Sequence, residues 1–316
     1  MNFYFLMFIS IFISLRINSN FLMWILLELN ILRFLPIISS KEYIEIENSI
    51  KYFLIQRWAS IIFLIRFFFI NLLINNINYL IIFRIFMKLG VAPFHIWFIS
   101  ILKTRSLFIL IILSSIQKII PLIILRNLSL KFDLIYFIIF LNVIMFMLII
   151  SRIINLNKIL AVSSINNIMW ILFRIIFSLK LIFIFIIIYL FLLTGVYLLY
   201  NLYNLNIFLQ INRINYFDKI IIIIIFMSLG GLPPLLGFLR KYIIIKLLMI
   251  YENLFFLLII IFSSLIILYL YISRIYFFLT NIPSIKINFK MNFFFLKKIF
   301  YLLSIIYFNY FFIFQF

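Results

Sequence analysis

The chain has 316 residues, of which 68% are hydrophobic and 21% aromatic, and its mean hydropathy is +1.34. Soluble domains, in which about half the residues are apolar, are excluded. Its 27 lysines and arginines against 7 acids give a formal net charge of +20, yet the bases lie mostly in short connections between apolar runs, which points to membrane orientation and anionic headgroups and not to nucleic acid. The absence of cysteine excludes disulfides, thiolate-ligated metals and iron–sulfur clusters, and a single histidine argues against a haem or zinc site.

Apolar runs of roughly 17 to 25 residues each suit one spanning helix. In chain order they predict helix 1 at 2–15, helix 2 at 21–38, helix 3 at 51–73, helix 4 at 79–102, helix 5 at 107–126 and helix 6 at 132–151. Helix 7 follows at 158–178, helix 8 at 181–200, helix 9 at 219–249, helix 10 at 253–279 and helix 11 at 293–315. The first run lacks a basic flank and a small-residue cleavage site, so it is expected to be a retained helix. The expected fold is thus an all-α integral membrane bundle of about eleven helices, one polytopic domain. Connections such as SLRINSN at 14–20 and NIPSIKINFK at 281–290 hold the breakers and charges.

The bases alternate between the two sets of connections. One set holds Lys41, Lys51, Lys103, Arg105, Arg152, Lys158, Arg213, Lys219, Lys286 and Lys290; the other holds Arg16, Arg126, Lys131 and Lys180. The richer set, on the side of the N-terminus, is expected to face the cytoplasm or its mitochondrial equivalent, the matrix, with the C-terminus opposite. Heavy use of Ile, Phe, Asn, Tyr and Lys, with alanine only at Ala59, Ala92 and Ala161, suggests an A+T-rich gene of the organellar kind.

Helix 4, LIIFRIFMKLGVAPFHIW at 80–97, places Lys88 in mid-span and then meets Gly90 and Pro93. Proline removes a backbone donor and frees a carbonyl, so a break is expected there. Unpaired backbone groups and an ammonium are both costly in hydrocarbon, and such a segment persists only where other helices or internal water satisfy it. Helix 9 repeats the pattern in MSLGGLPPLLGFLRKY: Gly230 and Pro233 share the spacing of Gly90 and Pro93, with Gly231 and Pro234 adjoining. The two breaks are five helices apart, and an odd number of spans inverts the second copy. Two inverted repeats, 1–127 and 132–279, followed by the helix at 293–315, are therefore expected.

Six acids, Glu42, Glu45, Glu47, Asp133, Asp218 and Glu252, fall in connections or at helix ends, while Glu28 lies within helix 2 with Asn30 beside it. A carboxyl so placed is either a protonated or paired structural group or a proton carrier, and intramembrane carboxyls favour the second reading. Lys88, Lys118 and Lys241 lie at comparable depth, whereas Arg66, Arg84 and Arg174 near predicted ends are expected to snorkel. A lysine can take up and release protons in apolar surroundings, which an arginine cannot. By residue count Glu28 and Lys88 lie ~10 and ~13 Å from the same face, so Glu28 is expected to lie closest to Lys88. Arg240, next to Lys241, is expected to point away. His95 is either a relay or a partner for a carbonyl freed by Pro93.

WILLELN at 24–30, KYFLIQ at 51–56, MKLGVAPFHIW at 87–97, QKIIPL at 117–122, AVSSINNIMW at 161–170 and SLGGLPPLLGFLRK at 228–241 are collinear and together highly specific. With them the chain resembles the antiporter-like membrane subunits of respiratory complex I, the proton-translocating NADH:ubiquinone oxidoreductase, which are related to Mrp-type cation/proton antiporters. The resemblance implies eleven helices, as in animal members, and a place in the mitochondrial inner membrane. It implies proton transfer by Glu28 and Lys88 as an interacting pair, Lys118 as the connecting lysine and Lys241 as the terminal one, with His95 as a further position. NADH, FMN, iron–sulfur clusters and ubiquinone would belong to other subunits, with no cofactor in this chain. Partners would be other membrane-arm subunits, including neighbouring antiporter-like ones, and phospholipids including cardiolipin. A scaffold role or a free-standing antiporter remains as the alternative. Three departures stand out: Asn167 where a histidine is usual, Ile99 and Ser100 where proline and glutamate are common, and Arg240 and Tyr242 where proline and tryptophan are common.

Overall fold

The computed structural model describes residues 2–17, 19–39, 43–69, 77–103, 107–127, 132–150, 156–177, 179–203, 216–250 and 254–280. Among these residues the regular structure is helical throughout. α1 (Asn2–Ser14), α2 (Asn20–Ile38) and α3 (Tyr43–Phe69) precede α4 (Ile77–Leu89) and α5 (Ile96–Lys103), the two halves of one interrupted run. α6 (Leu107–Ile111) and α7 (Gln117–Asn127) are joined by a π-helical turn at Ile112–Ile116. α8 (Phe132–Ile150), α9 (Leu156–Phe177) and α10 (Leu179–Tyr203) follow, then α11 (Tyr216–Gly230) and α12 (Leu236–Ile250) flanking the second break, and α13 (Leu254–Thr280).

Five described segments are long and apolar enough to cross a membrane: Phe21–Ile38, Leu107–Asn127, Leu156–Ile175, Leu179–Tyr203 and Leu254–Ile275. The breaks shorten α4, α5, α11 and α12 below that length. Serines within the helices bond their own backbone, as Ser163 does to the Leu160 carbonyl (2.9 Å) and Ser263 to that of Ile260 (2.8 Å), so a hydroxyl is accommodated without a partner helix.

The helices fall into two compact units, α1–α9 with the first turn of α10 in one, and the rest of α10 with α11–α13 in the other. In the first, α3 packs along α2, α4 and α5, and α7 packs against α1, α2 and α4. Phe34, Tyr52, Leu89, Phe98 and Ile120 are buried where these helices meet. In the second, α11 packs on α12 and α13, with the rings of Phe226 and Tyr271 5.4 Å apart.

Two expectations change. α3 begins at Tyr43, so Glu45, Glu47 and Lys51 lie on a helix and not in a connection. Glu47 and Lys51 form an i,i+4 ion pair of 2.5 Å, and acids in the first turns favour the helix N-terminus, so residues that look like loop charges extend the helix. Arg84 and Arg174 do not snorkel but are buried; Arg174 donates to the Leu181 carbonyl, in the first turn of α10, at 2.5 Å. The expected helix at 293–315, and Lys41, Arg105, Arg152, Arg213, Lys286 and Lys290, lie outside the described residues, as does the side chain of Arg66.

Candidate functional site: two helix breaks and their cations

Both breaks begin with the same helix end. Gly90 has φ +67° and Gly231 φ +85°, left-handed values that glycine adopts without a Cβ clash. Val91 N–H bonds back to Phe86 O (3.1 Å) and Gly90 N–H to Met87 O (3.3 Å); Leu232 N–H bonds to Met227 O (3.2 Å) and Gly231 N–H to Ser228 O (3.0 Å). This is a Schellman end in both cases. The peptides before Pro93 and Pro234 are cis. The register therefore differs from the expected one: the counterpart of Gly90 is Gly231, because Gly230 is still the last helical residue of α11. Aligned in this way, Lys88 falls in register with Leu229 and Ser100 with Lys241, so the two lysines lie on opposite sides of their breaks.

In the first unit, neutral groups satisfy the break. Trp97 Nε1 donates to Met87 O (3.2 Å), Gln56 Nε2 to Lys88 O (3.5 Å), and Ala92 N–H donates to Asn142 Oδ1 (2.9 Å). Asn142, on α8, is itself anchored through Nδ2 to Ile138 O (2.9 Å). His95 is buried close to the Pro93 carbonyl, and its Nδ1 has no hydrogen-bond partner among the described residues.

Lys88, in the last turn of α4, is buried, and its Nζ has no hydrogen-bond partner among the described residues. It faces a cavity of about 20 Å³ whose polar lining is Asn30, Tyr52, Gln56, Lys88, Gln117 and Lys118. That is room for about one water with several polar partners. Lys118 follows the π-helical turn on α7; it is buried with Nζ 4.8 Å from the centre of the Phe98 ring. Asn30 Nδ2 donates to Gln117 Oε1 (3.1 Å), tying α2 to the same turn. Two of the lysines singled out in the sequence thus share one polar cavity.

Glu28 is buried on α2, and its ion pair is with Arg57 of α3, Oε2 to Nη1 2.6 Å, not with Lys88. Lys88 lies within electrostatic reach of Glu28, Arg57 and Arg84. The ion pair of Glu28 goes to Arg57 for a geometric reason. Gln56 and Arg57 are consecutive on α3, and while the first caps the Lys88 carbonyl the second reaches the carboxylate. Arg57 lies inside the expected span 51–73, and the sequence signal for the pair is an arginine deep in an apolar run where Glu28 is the one carboxyl within a span.

In the second unit, cations satisfy the break. Arg240 Nη2 donates to Leu229 O (2.9 Å) and Lys241 Nζ to Gly230 O (2.6 Å). Arg240 does not point away: it is fully buried, with its guanidinium 5.1 Å from the Phe185 ring centre and 5.2 Å from that of Tyr189. The cause is the break itself, since the last carbonyls of α11 have no helical donors and carry the negative end of its dipole. Lys241 also packs on Gly231, where an added Cβ would lie 2.8 Å from Nζ. Asn167, at the position where the resemblance would put a histidine, is buried on α9 of the first unit.

The family of NADH:quinone oxidoreductase/Mrp antiporter transmembrane segments matches residues 67–267. The chain is 32% identical to NADH-ubiquinone oxidoreductase chain 2 of Anopheles gambiae over 303 residues, covering 90% of this chain and 86% of that one. It is 35% identical to the protein of the same name from Aedes aegypti over 290 residues, covering 87% and 84%. A chain of respiratory complex I from Thermus thermophilus shares the fold with a TM-score of 0.72 at 18% identity, over 80% of this chain and 64% of that one. A chain of the Mrp complex from Dietzia sp. DQ12-45-1b shares it with a TM-score of 0.70 at 16% identity, over 85% and 57%.

Proposed function

Because the chain belongs to the NADH-ubiquinone oxidoreductase chain 2 family, we propose that it is a membrane-arm subunit of the proton-translocating NADH:ubiquinone oxidoreductase of the mitochondrial inner membrane. In this reading it moves protons along Glu28, Lys88, Lys118 and Lys241. NADH, FMN, iron–sulfur clusters and ubiquinone belong to other subunits, which fits a chain with no cysteine and one histidine. Its partners are other membrane-arm subunits, antiporter-like neighbours among them, and phospholipids such as cardiolipin. The exposed apolar face of α13, with Phe255, Leu258, Phe262, Leu265 and Tyr269, is suited to either. The two matched helix ends support an inverted-repeat origin; in this reading the richer set of basic connections puts the N-terminus in the matrix and the C-terminus in the intermembrane space.

The observation that carries the proposal is the single polar cavity lined by both Lys88 and Lys118. A structural cation in hydrocarbon would be expected to have an acceptor, as Arg174, Arg240 and Lys241 do. Lys118 has a ring face and the cavity, which suits a group that exchanges its proton with an internal water. The chain's own part is to hold these ammonium groups at fixed positions, exclude bulk water and let a proton pass between them through that water.

The scaffold reading has one specific observation in its favour: Lys241 caps the Gly230 carbonyl, which alone would account for its burial. Lys118→Arg separates the two readings. A scaffold tolerates any cation at this site, whereas arginine keeps its proton. The number of protons translocated per electron, or coupled turnover, by the assembled complex should fall in Lys118→Arg, and wild-type values of both would contradict the proposal.

A further inference from the structure

We propose that Arg57 is a fixed-charge competitor for Glu28, so that the carboxylate alternates between Arg57 and Lys88 and Arg57 sets how often Lys88 has it as a partner. The inference rests on the proton-path reading above and adds a residue to it.

Three observations converge. First, Glu28 is buried and 2.6 Å from Arg57 Nη1, while Lys88 Nζ, within electrostatic reach of both, has no hydrogen-bond partner among the described residues. One buried carboxylate thus serves two nearby cations. Second, Arg57 has an alternative seat: its guanidinium lies 5.1 Å from the Phe53 ring centre, and its side chain is 35% exposed. If Glu28 leaves, Arg57 keeps the ring face of Phe53. Third, Gln56, the preceding residue, holds the Lys88 carbonyl, so the same turn of α3 that presents Arg57 to Glu28 also positions the end of α4.

The chemistry of the two cations is unequal. An arginine exerts a constant attraction on a carboxylate, whereas a lysine can lose its proton, so its attraction switches. While Lys88 is charged it competes for the carboxylate, and once it is neutral Glu28 returns to Arg57. The arrangement couples the proton on Lys88 to the position of Glu28, with no bond made or broken beyond the transferred proton. The charged groups around the switch are Glu28, Lys88, Arg57 and Arg84, with Lys118 on the shared cavity and the Tyr52 hydroxyl also in reach of Glu28.

The test uses the purified complex carrying Arg57→Gln, Arg57→Lys and Glu28→Gln in this chain. Coupled turnover should fall about tenfold in Arg57→Gln, recover only in part in Arg57→Lys, whose ammonium can pair with Glu28 but is not a fixed charge, and fall no further when Arg57→Gln is added to Glu28→Gln, since residues acting through one contact are non-additive. In redox-induced infrared difference spectra, the carboxylate band deleted by Glu28→Gln should shift in Arg57→Gln; should that variant fail to assemble, the same band is read in Arg57→Lys. Slowed Glu28→Gln with normal Arg57→Gln and an unshifted band overturns the competitor role and leaves the proton path standing. Equal losses in Arg57→Gln and Arg57→Lys with an unshifted band overturn it as well. Normal pumping in Glu28→Gln removes the proton-path reading and this inference with it.

Discussion

Buried cations in this chain divide by what holds them. Arg174, Arg240 and Lys241 donate to backbone carbonyls, Lys118 faces a ring and a cavity, and Lys88 Nζ has no hydrogen-bond partner among the described residues. The first group substitutes for missing helical donors, and leaving a buried acceptor unmet costs roughly 1–3 kcal/mol. Arg240→Met should therefore destabilise the second unit by about that amount, read as earlier loss of the subunit from the purified complex on heating; an unchanged profile would show that the Leu229 carbonyl is satisfied without it. Glu28 was recognisable in the sequence because an acid inside an apolar span is rare. Its partner was not, because pairing across helices depends on helix rotation and on which of two adjacent side chains, Gln56 or Arg57, reaches which group.

At the scale of the element, the two Gly-x-x-Pro breaks were legible because glycine and proline act on the backbone locally. The register of the second was not, since Gly230–Gly231 and Pro233–Pro234 each offer two choices and only the hydrogen-bond pattern selects the later one. Alanine substitutions test that register. Gly230 is helical, and an added Cβ there meets Leu268 at an ordinary 3.5 Å, so Gly230→Ala should be neutral or stabilising by about 0.5–1 kcal/mol. Gly231→Ala should cost about 1–2 kcal/mol for the left-handed backbone alone and displace Lys241 besides. The reverse order of subunit retention on heating would restore the Gly230 register. The π-helical turn before Lys118 also escaped detection, because a one-residue shift in hydrogen bonding leaves an apolar run apolar; Ser114, Ser115 and Pro121 are its local correlates. In the first unit, Asn142→Leu removes the acceptor of Ala92 N–H and should cost about 1–3 kcal/mol, measurable as increased proteolysis or exchange at 90–95 in the assembled complex. Unaltered protection there would mean the break holds without α8.

Taken as a whole, the molecule is a set of long apolar helices interrupted where charge is kept, and membrane placement followed from composition alone because few other environments accept such a sequence. The central claim is that the cavity joining Lys88 and Lys118, with Glu28 beside it, carries protons. It is tested most directly by the number of protons translocated per electron in reconstituted complex carrying Glu28→Gln or Lys118→Met. Each variant should show a reduced ratio or slowed coupled turnover, with NADH oxidation by an artificial acceptor unchanged. Wild-type ratio and turnover in both, in fully assembled complex, would contradict it.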